Sequence, residues 1–357
     1  MNKVIIIGAG IAGLATAIRL RNKGYNVEVF EANSYTGGKI SSFNISQYRF
    51  DAGPSLFTLP HLVDDLFTLC NENPRNYFNY KQKDIHCNYF WNDGKTLSAF
   101  SDKKKYLKEI KDQLDVDPNT VEKYLIKSKK KFDLTKEIFL EKSLHKYKTY
   151  FNKNVIKSIL SIYNLDLFTS LNRVNEKELN EQHLVQLYNR YATYNGSSPY
   201  ETPGIMTLIQ HLESHYGTWI PDGGMVNIAK SITSLLLNNG VKIHLNEKVD
   251  EIILDNNMSK GIRVNGKIYN ADYIISNMDI YYTYNFLLKN YNIPNNLEDI
   301  ERSSSAIIFY WGIKKLFKQL ELHNIFFSSN YRSEFEAIFQ NGTLYNDPTI
   351  YINVTSK

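Results

Sequence analysis

The spacing of apolar residues changes rhythm twice near the start of the chain. Val4 to Ile7 is an unbroken β-branched run, short and apolar on both faces, which predicts a strand in the middle of a parallel sheet. From Ile11 to Asn22 the apolar positions Leu14, Ala17, Ile18 and Leu20 gather on one side of a helix, which stops at Gly24. Val27 to Phe30 is strand-like again. A strand, a helix and a strand in this order predict a βαβ unit, in which the crossover helix makes the two strands parallel.

Residues from about Cys70 to Tyr216 carry a mainly helical pattern, interrupted by a short β-like piece from Asn88 to Ala99. Trp219-Ile-Pro-Asp-Gly-Gly-Met225 then opens a helix to about Asn239, and Val241 to Leu245 gives a strand. A β-pair, Glu251 to Leu254 with Gly261 to Val264, precedes Ala271 to Asp279, which closes the block. Helix-like residues run to Leu288. Beyond them Ser303 to Gly312 and Leu322 to Phe327 alternate and are aromatic, which predicts an antiparallel sheet lining a cavity. Val4 to Ile7 is too short for the core of a secretory leader, and no apolar run reaches the roughly 18 residues that a membrane span needs.

The chemistry sits where the first elements join. Gly8, Gly10 and Gly13 have GxGxxG spacing directly after the first strand. Gly8 allows the tight turn, Gly10 lets the backbone approach a pyrophosphate, and Gly13 lets the helix pack closely on the strand. The helix amino terminus then presents its amides and dipole to the phosphates. Glu31, at the end of the second strand, is placed to accept hydrogen bonds from a ribose diol, and its charge disfavours a 2′-phosphate. Gly37-Gly38-Lys39 follows, bringing a second flexible stretch and a cation toward the same phosphates.

With Gly37-Gly38-Lys39 and Asp51-Ala-Gly-Pro-Ser55 the sequence resembles the flavin-dependent amine oxidase and phytoene desaturase superfamily. The GGM element at Gly223, Ser303-Ser-Ser-Ala-Ile-Ile-Phe-Tyr-Trp-Gly312 and His323-Asn-Ile-Phe-Phe327 bring it nearest the bacterial hydroxycarotenoid 3,4-desaturases. The resemblance implies an α/β fold, a Rossmann-type FAD-binding domain with an inserted α+β substrate domain of helices and antiparallel sheet. It implies FAD as cofactor, held by Gly8, Gly10, Ala12, Gly13, Glu31 and Ala32, by Gly38 and Lys39, by Ser55 and Leu56, and by Val249, Asn277 and Met278. FAD-binding segments are expected at 1–69 and 217–280, a helical substrate- and membrane-facing region at 70–216, and the substrate-domain sheet at 281–357. Asn189 to Tyr200, rich in aromatic and turn residues, resembles a segment of the family's substrate domain.

The reaction implied is desaturation of a long apolar polyene, an acyclic 1-hydroxycarotenoid at C3–C4. A hydride leaves a saturated carbon for the flavin, the cation spreads along the polyene, and a proton is lost from the neighbouring carbon. The cofactor does the redox chemistry, so the absence of a Ser/His/Asp or paired-carboxylate arrangement is consistent with it. No side chain is assigned as a base; Asp51 and Asp279 read as structural and His323 as a weak candidate. A cis-trans isomerase of the same fold and a non-catalytic flavoprotein stay open. Relatives continue past the segment matching Asp347 to Tyr351 into a piece that caps the flavin ring, so this chain alone is expected to bind FAD weakly and turn over little.

Composition adds a location. The chain of 357 residues is long enough for two domains, and its net charge of +5 is uneven. Ser101 to Leu160 holds 16 Lys and Arg against 9 Asp and Glu, including Lys103-Lys104-Lys105 and Lys127 to Lys131. Apolar and aromatic residues follow, among them Phe132, Phe139, Tyr147, Phe151 and Leu160, a mixture that suits amphipathic helices on an anionic bilayer, or simply a solvated lysine face. Attachment to the cytoplasmic side of a membrane is therefore expected, with no nucleic-acid partner and no inference about oligomers. Cys70 and Cys87 form no framework and suit a reducing compartment. His211 and His215 share a helix face without a third ligand, so a polar face is expected there rather than a metal.

Overall fold

A computed structural model describes residues 1–137, 146, 165–298, 300 and 305–357. They form two compact units, Met1–Gln82 with Trp219–Glu301, and Lys83–Thr218 with Arg302–Lys357.

The first unit is built on strand β1 (Lys3–Ile7), helix α1 (Ile11–Asn22) and strand β2 (Asn26–Phe30). β1 and β2 pair in parallel, with Tyr273–Ser276 beside β1 and Lys242–His244 beside β2, so four strands run in one direction. Val4, Ile5 and Ile6 are at most 1% exposed, as a strand covered on both faces requires. Leu14, Ala17 and Ile18 of α1 and Ile232, Leu235 and Leu236 of helix Val226–Asn238 enter the same core. Burial of each large aliphatic side chain contributes about 1.5–3 kcal/mol.

A three-stranded antiparallel sheet, Val249–Asp255, Met258–Val264 and Lys267–Asn270, packs Val249, Ile252, Ile262 and Val264 with Ile5, Ile7 and Phe30. Its turns are Asn256-Asn257 and Asn265-Gly266, each with both residues at positive φ, the geometry of tight hairpins. The third strand, Lys267–Asn270, adds to the expected β-pair, and Asn265-Gly266 is the turn that forms it. Residues 70–82 also belong here: Tyr80–Gln82 pairs with Trp219–Pro221, and Phe57, Phe67, Phe78 and Tyr80 form one aromatic group. The unit thus extends past residue 69 because its aromatic core does.

The second unit has a four-stranded sheet in the order Ile350–Asn353, His323–Phe326, Ile85–Phe90, Thr96–Phe100. It is mixed rather than wholly antiparallel, since His323–Phe326 runs parallel to Ile85–Phe90. Helices Lys103–Leu114, Pro118–Lys136, Leu171–Leu179, Gln182–Asn189 and Leu208–Tyr216 complete it, with Ile110, Tyr124, Leu184, Leu187 and Tyr188 in the core.

Two expectations change here. Among the described residues of Ser303 to Gly312 there is no strand, and Ile307, Phe309 and Trp311 are each more than 70% exposed. Alternation selects two faces but supplies no neighbour, and no described strand pairs with this stretch. The basic run also divides. Lys127 and Lys129 are exposed and paired with Glu178 and Asp133, whereas Lys131 is buried against Asp166 at 2.6 Å and Thr207 at 2.9 Å. The expected amphipathic stretch from Ile138 to Leu160 lies outside the described residues apart from Lys146.

Candidate functional site

Parallel pairing brings the carboxyl ends of β1, β2 and Tyr273–Ser276 to one edge, so Gly8, Glu31 and Asn277 stand side by side although they are far apart in sequence. Gly8 N–H donates to Phe30 O at 2.7 Å, and Asn277 N–H donates to Ile7 O at 2.8 Å. The Asn277 amide also reaches Gly8 O at 3.3 Å. α1 starts at Gly10 with no side chain capping it and no acidic residue in its first turn. Its first amides are therefore left for an anion.

Gly8 is required by its positive φ and Gly13 by contact distance. A Cβ on Gly13 would lie 2.2 Å from Gly8 O and 2.9 Å from the Asn277 amide, so α1 packs at a separation only glycine permits. The second glycine pair closes on the first: Gly37 N–H donates to Ala9 O at 2.8 Å, and a Cβ on Gly38 would lie 3.2 Å from the Gly10 Cα. Lys39 and Ala12 are exposed beside them.

Glu31 is buried and already engaged. One oxygen accepts from Ala9 N–H at 2.7 Å, and the other from the Asn33 backbone at 2.9 Å and its amide at 2.7 Å. A carboxylate has about four acceptor positions, so three protein donors leave room for one more. Glu31 thus also fixes the glycine turn through Ala9, a role the spacing alone did not suggest. Ala32 is exposed, Val249 is buried at the start of its strand, and Met278 is exposed after Asn277. Ser55 and Leu56 follow the hairpin Ser41–Ala52, where Asp51 accepts from Met225 N–H at 2.9 Å and pairs with Arg49 at 2.6 Å. Asp51 therefore ties the DAGP and GGM elements together. Asp279 accepts from Tyr281 N–H at 2.9 Å as a helix cap.

All thirteen expected cofactor contacts lie in the first unit. An uncapped helix start, a cradle that any Cβ would fill and a buried carboxylate with one vacant acceptor position fit an adenosine and pyrophosphate. Residues 11–290 match the family of flavin containing amine oxidoreductases. The chain belongs to it. It is an α/β, FAD-dependent oxidoreductase of that family. A 1-hydroxycarotenoid 3,4-desaturase of Flavobacterium sp. (strain P99-3) is 50% identical over 357 residues, all of this chain and 73% of the relative. A 4,4'-diapolycopene oxygenase of Methylomonas sp. is 32% identical over 364 residues, 99% of this chain and 71% of the relative. An oxidoreductase from Methanosarcina mazei shares the fold with a TM-score of 0.53 at 20% identity, covering 81% of this chain and 62% of that one. The chain thus spans less than two thirds of that solved structure.

The second unit contains a polar site of another kind. Arg190 and Glu213 are both buried and lie 3.3 Å apart. Arg190 donates to Tyr89 Oη at 2.7 Å, and Glu213 accepts from Tyr191 at 3.2 Å and Tyr194 at 2.7 Å. The guanidinium also sits 4.3 Å from the centre of the Tyr191 ring. Burial pushes the Glu213 carboxyl up, but Arg190, His86 and the tyrosine hydrogen bond overcome it and hold it below the usual range. His323 is 2% exposed with Nδ1 against Tyr351 Oη at 2.6 Å, and burial holds its pKa down at about 4. His211 is buried rather than on an open polar face, stacked on His215 and packed against Phe132, with its pKa also down at about 4 from burial and His215.

Proposed function

We propose that this chain desaturates a carotenoid, an acyclic 1-hydroxycarotenoid at its C3–C4 bond, using FAD. The observation that carries the reading is the 50% identity to the hydroxycarotenoid desaturase along all 357 residues. FAD, when bound, accepts the hydride removed from the substrate carbon.

The residues of this chain bind and orient. The first-turn amides of α1 and the Gly37-Gly38 backbone hold the pyrophosphate, with Lys39 as a cation beside it. The vacant acceptor position of Glu31 takes a ribose hydroxyl, and the Val249 backbone meets the adenine. Asn277 fixes the Gly8 carbonyl and closes the edge next to β1. Asp51 and Asp279 are committed to internal hydrogen bonds and serve as neither acid nor base. We further propose that the chain attaches peripherally to the cytoplasmic face of a membrane, where an apolar polyene is available. Exposed Lys103, Lys104, Lys105 and Lys130 support this.

The test is an anaerobic incubation of the FAD-loaded protein with defined acyclic carotenoids and an added electron acceptor. A product lighter by two hydrogens is expected. An isomer of unchanged mass would replace the desaturase reading with a cis-trans isomerase, and no conversion despite full flavin occupancy would leave a non-catalytic flavoprotein.

A further inference from the structure

The Arg190–Glu213 cluster holds more polar capacity than it uses. Among the described residues nothing bonds to either ring nitrogen of His86, to His323 Nε2 or to Arg190 Nε, and each of these atoms is closed off from solvent. The residues are 4%, 2% and 8% exposed. A buried polar group left unmatched is destabilising, so several within one unit call for a partner that the side chains do not supply.

The fold brings them together deliberately. In strand Ile85–Phe90 the pairing slips between Ile85 and Cys87, and the extra residue is His86. A bulge of this kind re-aims one side chain to the opposite face. His86 thereby feels the charges of Glu213 and Arg190, as does His323 from the neighbouring parallel strand. Tyr89, two residues beyond Cys87, faces the same way and accepts from Arg190.

The chemistry of the vacant positions selects the ligand. Arg190 is already matched by Glu213, so the cluster carries no net charge to recruit an anion. The neutral His86 imidazole offers one donor and one acceptor, His323 adds only Nε2 because its Nδ1 meets Tyr351 Oη at 2.6 Å, and Arg190 Nε adds a donor. A hydroxyl, which donates once and accepts, fits this set. A carboxylate would meet the acceptor nitrogens, and a hydrocarbon end would leave all of them unmatched.

We infer that this cluster is the recognition site for the terminal hydroxyl of a hydroxylated polyene, an assignment that rests on the desaturase reading and names what selects its substrate. His86 and His323 are specificity residues here and take no part in hydride removal.

The experiment is an equilibrium titration of the FAD-loaded protein with two matched acyclic polyenes, one bearing a terminal hydroxyl and one lacking it, followed by polyene absorbance. The unaltered protein should bind the hydroxylated form at least tenfold more tightly. His86→Leu and His323→Leu should each cut that preference at least fivefold, and His86→Asn, which keeps one donor and one acceptor, should retain part of it. Thermal melting of each variant identifies those that are folded, and His86→Asn serves if the leucine variants are not. A preference unchanged in the folded variants, or absent from the unaltered protein, would overturn the assignment while polyene binding itself stands. If neither polyene binds, the desaturase reading falls and the assignment with it.

Discussion

The glycine cradle and the Arg190–Glu213 cluster are both polar sites set in apolar surroundings, yet they are made of different material. The cradle is mostly backbone: glycine turns, unpaired helix amides and one carboxylate. The cluster is mostly side chain, collected from positions 86, 89, 190, 191, 194, 213 and 323. Backbone sites depend on how closely two chains approach, so they fail when a Cβ is added. Side-chain sites depend on matched charge, so they fail when one partner is neutralised. The largest expected effect belongs to the second kind. Glu213→Gln keeps the shape but leaves the Arg190 charge buried and unpaired, which should cost about 3–5 kcal/mol in urea unfolding. Replacing both, Arg190→Met with Glu213→Leu, should recover most of that loss. A single variant as stable as the double would dissolve the distinction.

Acid gives the next largest effect and separates the units without a mutation. His323 is held at about 4 by burial, against an unfolded value near 6.5. The unfolded chain therefore binds a proton that the native chain refuses, and stability falls as pH drops from about 6.5 through 4. His323 alone contributes roughly 3 kcal/mol to that loss at full protonation. His86 and His211 act in the same direction. Tryptophan and far-ultraviolet signals should show the second unit loosening first. An unfolding free energy that is flat between pH 7 and 4.5 would mean that these imidazoles are not sealed from water.

How far each site could be read from the sequence follows the same division. The cradle was legible because its requirements are local: glycines at fixed spacing, an apolar run before them and an acid after β2. Glu31 is recognisable as the acid that ends β2, but its hydrogen bond to Ala9 is not, since that contact depends on two strand ends meeting. Asn265-Gly266 would have disclosed the third strand of the small sheet, as a dipeptide shaped for a tight hairpin. The cluster carries no such mark. Arg190, Tyr191 and Tyr194 fall in a segment singled out for its aromatic content, but Glu213 and His323 lie on other elements, and His86 reaches the group only through a bulge. Ser303 to Gly312 misled because alternation predicts faces without guaranteeing a neighbour.

The backbone site should break under a single methyl group. Gly13→Ala places a carbon where Gly8 O stands 2.2 Å away, so α1 must shift off β1. A loss of about 1–3 kcal/mol is expected, together with most of the bound FAD, read by flavin absorbance per protein. Glu31→Ala should weaken FAD by roughly 1–3 kcal/mol, the cost of a charged hydrogen bond, and loosen the Ala9 turn as well. Asn33→Ala, which removes one of the donors to Glu31 but keeps the carboxylate, should cost less in flavin affinity. Equal losses from the two would show that Glu31 works only by bracing the turn.

The smallest effects test the contrast inside one short run. Lys129 is exposed and pairs with Asp133 one helical turn away, an arrangement worth only about 0.3–0.5 kcal/mol and weakened by salt. Lys131, two residues further on, is buried and satisfies Asp166, Thr207 Oγ1 and the Gly204 carbonyl. Sequence gives both the same charge, but only the first is available to a surface. Lys129→Gln should therefore leave unfolding within about 0.5 kcal/mol. Combined with Lys104→Gln, Lys105→Gln and Lys130→Gln, it should reduce flotation with anionic vesicles at low salt, each removed cation accounting for about 1 kcal/mol near the bilayer. Lys131→Gln should do the reverse, lowering stability and leaving flotation of the folded protein unchanged. Flotation that persists with neutral vesicles at high salt would detach the basic run from membrane attachment, and the two lysines would then differ in stability alone.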